Sequence, residues 1–330
     1  GVHRGIGFAT YGEITNPSPA FYGVGGAHIS AQDGCVLKIT PSGELHCAIS
    51  VCEQGQGTEA MVGQIVADQF GVDHEQVRVL TGDTETTPHG GANWASRGTG
   101  IGGEAALRGA RKLKANVLEV AGAILQCAPA ELDIENGRIV ERASREARMP
   151  LADLAALVYF RSDTLPPGIE ATFTVAEHYA PKGYPFAFTN GIHGSLVEVD
   201  VETGFIKLVK HWVVEDCGRI INPLLVNEQV RGGAVQGLGA ALFEECLYSD
   251  SGQLLNGSMA DYLVPMAGEI PDFVIEHVET PTLDTLLGAK GVGEAGTSAA
   301  SGAVLNAVND AISVFGKSIA QIPLTPERVL

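Results

Sequence analysis

Twice along this chain a hairpin pattern leads into a glycine-rich turn and then a long helix, and this repeated order limits the folds open to it. Val36 to Thr40 and Glu44 to Val51 flank Pro41-Ser42-Gly43, which predicts a hairpin. Its second strand runs into Cys52-Glu53-Gln54-Gly55-Gln56-Gly57-Thr58. Met61, Ile65, Val66 and Phe70 then form an apolar stripe at helical spacing. Later, Gly194 to Val201 and Ile206 to Val214 form a hairpin turned by Glu202-Thr203-Gly204. Glu215-Asp216-Cys217-Gly218-Arg219-Ile220-Ile221-Asn222-Pro223 follows, and a helix is expected from Pro223 to about Glu245 with Asn222 as its cap. The pattern predicts an α+β fold: two α+β subdomains with mixed sheets and long helices, over 1–170 and 171–330.

The remaining stretches fill in around this frame. Arg4 to Tyr11 alternates like a strand, although Gly5 and Gly7 weaken it, and Gln76 to Leu80 is a further strand. The polar loop from Thr81 to Gly103 precedes a helix expected from about Gly102 to Gln126. Further on we expect a hairpin over Ile134 to Val140, a short helix over Leu151 to Val158, and strands over Thr172 to Tyr179, Leu254 to Ala260 and Phe273 to His277. The aromatic stretch Tyr184-Pro185-Phe186-Ala187-Phe188 either packs a loop or lines a pocket. A last helix is expected from Ser298 to Phe315.

The stretch richest in chemistry is Lys290-Gly291-Val292-Gly293-Glu294-Ala295-Gly296-Thr297. Glycines permit positive φ and close backbone approach, so Glu294 is expected on a tight, exposed turn, with Thr297 or Ser298 capping the helix that follows. Such a carboxylate suits a general base, or it merely caps a helix. The Gly55-Gln56-Gly57 turn also opens a helix and so offers anion-binding N–H groups. It is neither a GxGxxG fingerprint nor a Walker loop. In the next loop Ser96, Arg97 and Thr99 form a set suited to phosphate. Gln229 lies on a helix with Gly232, Gly233, Gly237 and Gly239, where it either contacts a ligand or satisfies backbone groups.

Composition excludes several classes. A net charge of −18 without a dense Lys/Arg cluster excludes nucleic acid as a partner. The six cysteines contain no CxxC pair, which disfavours a protein-held iron–sulfur cluster or structural zinc and suits free thiols in the cytoplasm. No apolar run approaches the ~18 residues of a membrane span. The chain starts with Gly1 and shows no signal-peptide pattern, so a processed product or a fragment is expected. With 45% apolar and only 18% charged residues, it suits burial against partners.

Five segments, taken in order, strongly resemble the molybdenum hydroxylase family of xanthine dehydrogenases, aldehyde oxidoreductases and carbon monoxide dehydrogenase. They are Gly55-Gln56-Gly57, Ala95-Ser96-Arg97, the Asp216 to Pro223 run, Gln229 to Gly237, and Gly291-Val292-Gly293-Glu294. The resemblance covers nearly the whole chain and implies the second, C-terminal half of the molybdopterin-binding unit. By this resemblance Gln56 and its flanking Gly55 and Gly57 touch the metal-site ligands and pterin. Ala95, Ser96 and Arg97 hold the pterin and nucleotide phosphates, Gln229 hydrogen-bonds the pterin, and Gly291, Val292 and Gly293 bind the cofactor. No residue is implied as a direct metal ligand, because the pterin holds the molybdenum. Glu294 resembles the active-site glutamate that takes a proton from a metal-bound hydroxyl as it attacks an electrophilic carbon, while hydride passes to a sulfido ligand.

The resemblance also implies molybdopterin cytosine dinucleotide, since Asn93-Trp94-Ala95-Ser96-Arg97 looks like the bacterial branch. It implies partners: a large molybdopterin subunit or missing N-terminal half, an iron–sulfur subunit with 2Fe–2S clusters, and an FAD subunit. The expected activity is water-dependent hydroxylation of an N-heterocycle or aldehyde. The alternatives are a non-catalytic cofactor-binding or assembly subunit of the same fold, and a nucleotide-binding domain unrelated to molybdenum.

Overall fold

The computed structural model describes residues 1–170 and 172–330. In chain order the strands are β1 (Val2–Thr15), β2 (Asp33–Ile39), β3 (Leu45–Ile49), β4 (Val77–Leu80), β5 (Leu132–Glu135), β6 (Arg138–Glu141), β7 (Ala147–Pro150), β8 (Thr174–Tyr179), β9 (Ala187–Asp200), β10 (Ile206–Asp216) and β11 (Phe273–His277). The longer helices are α1 (Thr58–Phe70), α2 (Glu104–Leu125), α3 (Leu151–Phe160), α4 (Pro223–Leu242) and α5 (Ala300–Ile312). The mixed α+β class expected from the sequence is what is observed. The compact units are Gly1–Thr15 with Ala187–Thr282 and Lys290–Leu330, and Asn16–Phe186 with Leu283–Ala289. This division differs from a single cut at 170/171, because β1 pairs along its whole length with β9, from Val2↔Asp200 to Thr15↔Ala187. Local sequence patterns carry no record of such a distant pairing.

In the unit that holds Glu294, the sheet order is β1-β9-β10-β11, with β10 and β11 parallel and the other pairs antiparallel. Val197, Val199 and Leu208 meet Leu238 of α4 and Val304 and Val308 of α5 in one core. Gly5 and Gly7 explain how closely α5 packs. A Cβ on Gly5 would fall 2.0 Å from the Ala307 carbonyl oxygen, and one on Gly7 would fall 2.1 Å from the Ala307 amide nitrogen. The strand therefore lies directly on the helix backbone, and α5 answers with buried Ala303, Ala307 and Ala311. The glycines that weaken a strand prediction are the ones this strand needs.

In the other unit the sheet order is β4-β3-β2-β8, with β3 and β4 parallel. Helix α2 packs on β2, β8 and α1. Its Gly109 sits where a Cβ would be 2.7 Å from the Cys35 sulfur, so this helix too approaches its sheet through a glycine. A separate meander, β5-β6-β7, includes a third strand that the sequence pattern does not show. No strand forms over Leu254 to Ala260: only an isolated bridge joins Tyr248 to Leu254. The Asn256 side chain accepts from Leu247 N at 2.9 Å and donates to Glu245 O at 2.6 Å, which diverts the backbone into a turn.

Gly7→Ala should lower stability by about 1–3 kcal/mol, because the added methyl meets helix backbone that has no room to yield. Gly12→Ala in the same strand meets nothing within 4 Å and should stay within about 0.5 kcal/mol. Urea unfolding midpoints measure both. Equal losses would show that the β1–α5 contact is looser than described.

Candidate active site

The Glu294 turn is braced from several sides within its own unit. At its entry the Lys290 ammonium sits 2.9 Å from Asp216, and Lys290 N donates to Cys217 O at 2.8 Å. Burial opposes ionisation of Asp216, but the Lys290 ammonium and the N–H groups of Thr280 and Gly218 outweigh it, so the carboxyl is held below its usual range. Thr189 Oγ1 donates to Gly291 O, and Gly291 N donates to Thr15 Oγ1 at 3.2 Å. Gln229 Nε2 donates to Gly293 O at 2.7 Å. Past Glu294, Gly296 lies on α4, where a Cβ would fall 2.1 Å from Val230 O and 2.6 Å from Ala234 N. On the helix side, Gly233 and Gly237 leave room for the same contact.

Glu294 itself is exposed, as expected for a tight turn. Its main-chain oxygen accepts from Thr297 N at 3.0 Å, Ser298 N at 3.1 Å and Ser298 Oγ at 2.8 Å. The capping expectation is corrected here. Thr297 Oγ1 donates to Gly233 O at 2.9 Å, Ser298 Oγ is turned back to Glu294, and α5 begins only at Ala300 after Ala299 with no side-chain cap. Both hydroxyls hold the turn rather than the helix. By contrast Asn222 does cap α4, accepting from Leu225 N at 3.1 Å with Pro223 in the first turn.

Beneath the turn lies a buried polar chain that the sequence reading missed. His193 Nε2 is 3.1 Å from Ala295 O, His193 Nδ1 is 3.1 Å from His211 Nε2, and His211 Nδ1 is 2.9 Å from Ser195 Oγ. All three side chains are fully buried. Burial lowers the pKa of His193 to about 4 despite its bond to Ala295. Burial, and then the neighbouring His193, lower that of His211 to about 3. Both rings are therefore neutral at pH 7. Elsewhere in the unit, the buried carboxylate of Glu215 meets the half-buried His277 at Nδ1, and His277 Nε2 is 2.9 Å from Asn227 Oδ1.

In the second unit the glycine loops are tied to each other. Asn93 Nδ2 donates to Cys52 O and lies 3.5 Å from Gln54 Oε1. Gly55 and Gly57 adopt φ of 97° and 87°, conformations that suit glycine. Gln56 is turned inward: Nε2 donates to Cys52 O at 3.0 Å and Thr58 Oγ1 at 2.9 Å, while Oε1 accepts from Gln54 N at 2.7 Å. The anion at the start of α1 is supplied by the chain itself. Glu53 accepts from the N–H groups of Gln54, Gly55, Gly57 and Glu59 at 2.8–3.1 Å. Desolvation raises its pKa, but these donors outweigh it and the net shift is downward.

Ala95 and Ser96 both have positive φ, 49° and 48°. Arg97 is fully buried, and its four hydrogen bonds go to Asp33 (2.6 and 3.2 Å), Ser30 O (2.6 Å) and Gln32 O (2.9 Å). This corrects the expectation of an Arg97 side chain offered to phosphate: the guanidinium shapes the loop, and Asp33 is the partner that sequence spacing did not show. The Phe21 ring lies 5.5 Å from Phe186 and 6.3 Å from Trp94, so Phe186 packs against this loop region.

The Gly55-Gln56-Gly57 loop has room for a flat ligand such as a pterin. Gln54 and Gly55 are exposed, and a Cβ on Gly55 would meet nothing within 4 Å, which leaves open space beside the loop. Among the described residues no group of three or more His, Cys, Asp or Glu gathers to hold a metal directly. No helix among the described residues is long and apolar enough to cross a membrane.

A family model described as "Molybdopterin cofactor-binding domain" matches residues 1–271. The nicotine 6-hydroxylase large subunit of Paenarthrobacter nicotinovorans is 36% identical over 330 residues, covering 100% of this chain and 40% of that protein. The carbon monoxide dehydrogenase large chain of Hydrogenophaga pseudoflava is 30% identical, over 98% of this chain and 40% of its own length. The crystal structure of quinoline 2-oxidoreductase from Pseudomonas putida 86 superposes with a TM-score of 0.88 at 34% identity, covering 100% of this chain and 42% of that one. The chain thus spans well under half the length of these relatives.

The histidine chain makes stability pH-dependent. In the unfolded chain both rings titrate near 6.5, so between pH 6.5 and about 4 the unfolded state binds protons that the folded state refuses. Stability should fall as pH drops through that window, by on the order of 3 kcal/mol for His193 alone. Urea unfolding between pH 7.5 and 4 should show the loss, and His193→Gln should make it shallower. An identical slope in the variant would mean that the rings titrate freely.

Proposed function

The chain belongs to the molybdopterin cofactor-binding family of the molybdenum hydroxylases, and on that premise we propose that it forms part of an enzyme that hydroxylates an electron-poor carbon of an N-heterocycle or aldehyde with water, Glu294 serving as general base. The observation that carries this reading is an exposed carboxylate on a turn fixed by Gln229, Lys290 and the Gly296 contact with α4. A turn held this way fixes the backbone from which the base reaches out. An N-heterocycle is favoured because the similar proteins include ones named for nicotine and quinoline.

The cofactor, when bound, supplies the oxygen-transfer and electron-accepting chemistry. Overall, a C–H carbon and water give a hydroxylated carbon, two protons and two electrons. Glu294 takes one of those protons at its carboxylate. Gln229, Gly291, Val292 and Gly293 are assigned to contacts beside the reacting end, with Gln229 acting through the Gly293 carbonyl it already holds. Gly55, Gln56, Gly57, Ala95 and Ser96 are assigned to the pterin and to a cytosine dinucleotide tail. Arg97 supports that loop from beneath. Electrons leave through 2Fe–2S clusters and FAD on partner chains, alongside a further molybdopterin-binding segment that completes the pocket. One relative is named as a subunit of a dehydrogenase complex, which supports a multi-chain assembly. Six unpaired cysteines suit a cytoplasmic setting.

Glu294→Gln in the assembled complex should leave molybdenum content near wild type and reduce turnover about 10²–10⁴-fold, the range of a lost general base. Metal analysis and steady-state kinetics with quinoline and benzaldehyde as trial substrates measure this. Near-normal turnover would remove Glu294 from the chemistry and favour a cofactor-holding role for the chain.

A further inference from the structure

We propose that His193 is a positioning residue for Glu294, and that the buried relay Ser195–His211–His193 sets the turn through the Ala295 carbonyl. This rests on reading Glu294 as the proton acceptor.

The geometry gives the relay a single direction. A carbonyl oxygen only accepts, so the His193 nitrogen at 3.1 Å from Ala295 O, Nε2, carries a proton. A neutral ring then has only a lone pair at Nδ1, which must accept from His211 Nε2–H at 3.1 Å. His211 Nδ1 is left as an acceptor, and Ser195 Oγ–H fills it at 2.9 Å. Each link fixes the tautomer of the next. The β-sheet supplies the alignment: His193 and Ser195 are two apart on β9 and so share a face, and His211 on β10 is paired directly with Ser195.

The far end of this relay is one residue from the candidate base. Ala295 N also donates to Val292 O at 3.3 Å, so the residue whose carbonyl the relay holds also closes the turn carrying Glu294. Gln229 grips the carbonyl before Glu294 and His193 the carbonyl after it. The proton acceptor is clamped between two side-chain donors, with Gly296 seated on α4 immediately beyond. Apolar side chains would fill the same interior at lower desolvation cost. Two imidazoles and a hydroxyl in a fully satisfied chain supply a directed donor that apolar packing does not.

The test uses the chain assembled with its native partner subunits and three variants: His193→Leu, His193→Gln and Ser195→Ala. Hydrogen exchange is followed at the turn amides of residues 294–298 and, as a control, in α4. His193→Leu removes the donor and should speed exchange at the turn about tenfold, the loss of roughly one buried hydrogen bond. It should leave α4 unchanged and lower kcat with KM within about twofold. His193→Gln keeps an N–H at the Nε2 position and should restore both readouts to within about threefold. Should His193→Leu fail to fold, Ser195→Ala still decides the question: it frees the relay's terminal acceptor with little volume change and should speed exchange at the turn alone. Equal behaviour of the Leu and Gln variants, or loosening of α4 as large as that of the turn, overturns the proposal. Retained turnover in Glu294→Gln would end the general-base reading, while the exchange contrast would still report on the relay.

Discussion

The contact of Gly296 with α4 is the constraint on which the Glu294 turn depends. Backbone meets backbone there, with no side chain between Gly296 and the Val230 carbonyl and with Gly233 opposite. Helix α4 gives up intrinsic propensity for this closeness, since each interior glycine costs roughly 1 kcal/mol relative to alanine. The return is rigidity: a turn seated on a helix backbone has no rotamers to change. Gln229, Lys290 and His193 then lock the carbonyls and the entry of the turn. The same device recurs where β1 lies on α5 through Gly5 and Gly7. A glycine-rich chain is using its glycines mainly to bring backbones together.

The second unit meets a different problem, that of charges inside loops. Asp33 and Arg97 are both fully buried, and the arginine's remaining bonds go to main-chain carbonyls. Removing one partner of such a pair leaves an uncompensated buried charge, so the loop geometry and the ion pair stand or fall together. Glu53 fills the N–H groups around the Gly55-Gln56-Gly57 turn in the same spirit. In both loops, donors that would suit an anion are organised around carboxylates of the chain itself.

Much of the architecture was legible because hairpins and helix starts are local. The Pro41-Ser42-Gly43 turn, the Asn222-Pro223 helix start and the Glu294 turn all follow from nearby residues. What escaped was set by distance. The pairing of β1 with β9, which moves the unit boundary, joins opposite parts of the sequence. Arg97 looked available because its partner Asp33 is far away in sequence. The His193–His211–Ser195 chain left only alternation on two strands, where an inward histidine looks like any other core position. Thr297 and Ser298 were at capping positions in sequence, but the turn consumed their hydroxyls first.

On the proposed function, the turn braced on α4 presents Glu294 to the metal of a bound molybdopterin. A crystal structure of the chain assembled with its partner subunits and loaded with cofactor tests this most directly. The Glu294 carboxylate is expected within hydrogen-bond reach of a ligand on the molybdenum, with Gln229 and His193 still holding the flanking carbonyls. A carboxylate directed to bulk solvent, with the metal on another face of the chain, would contradict it.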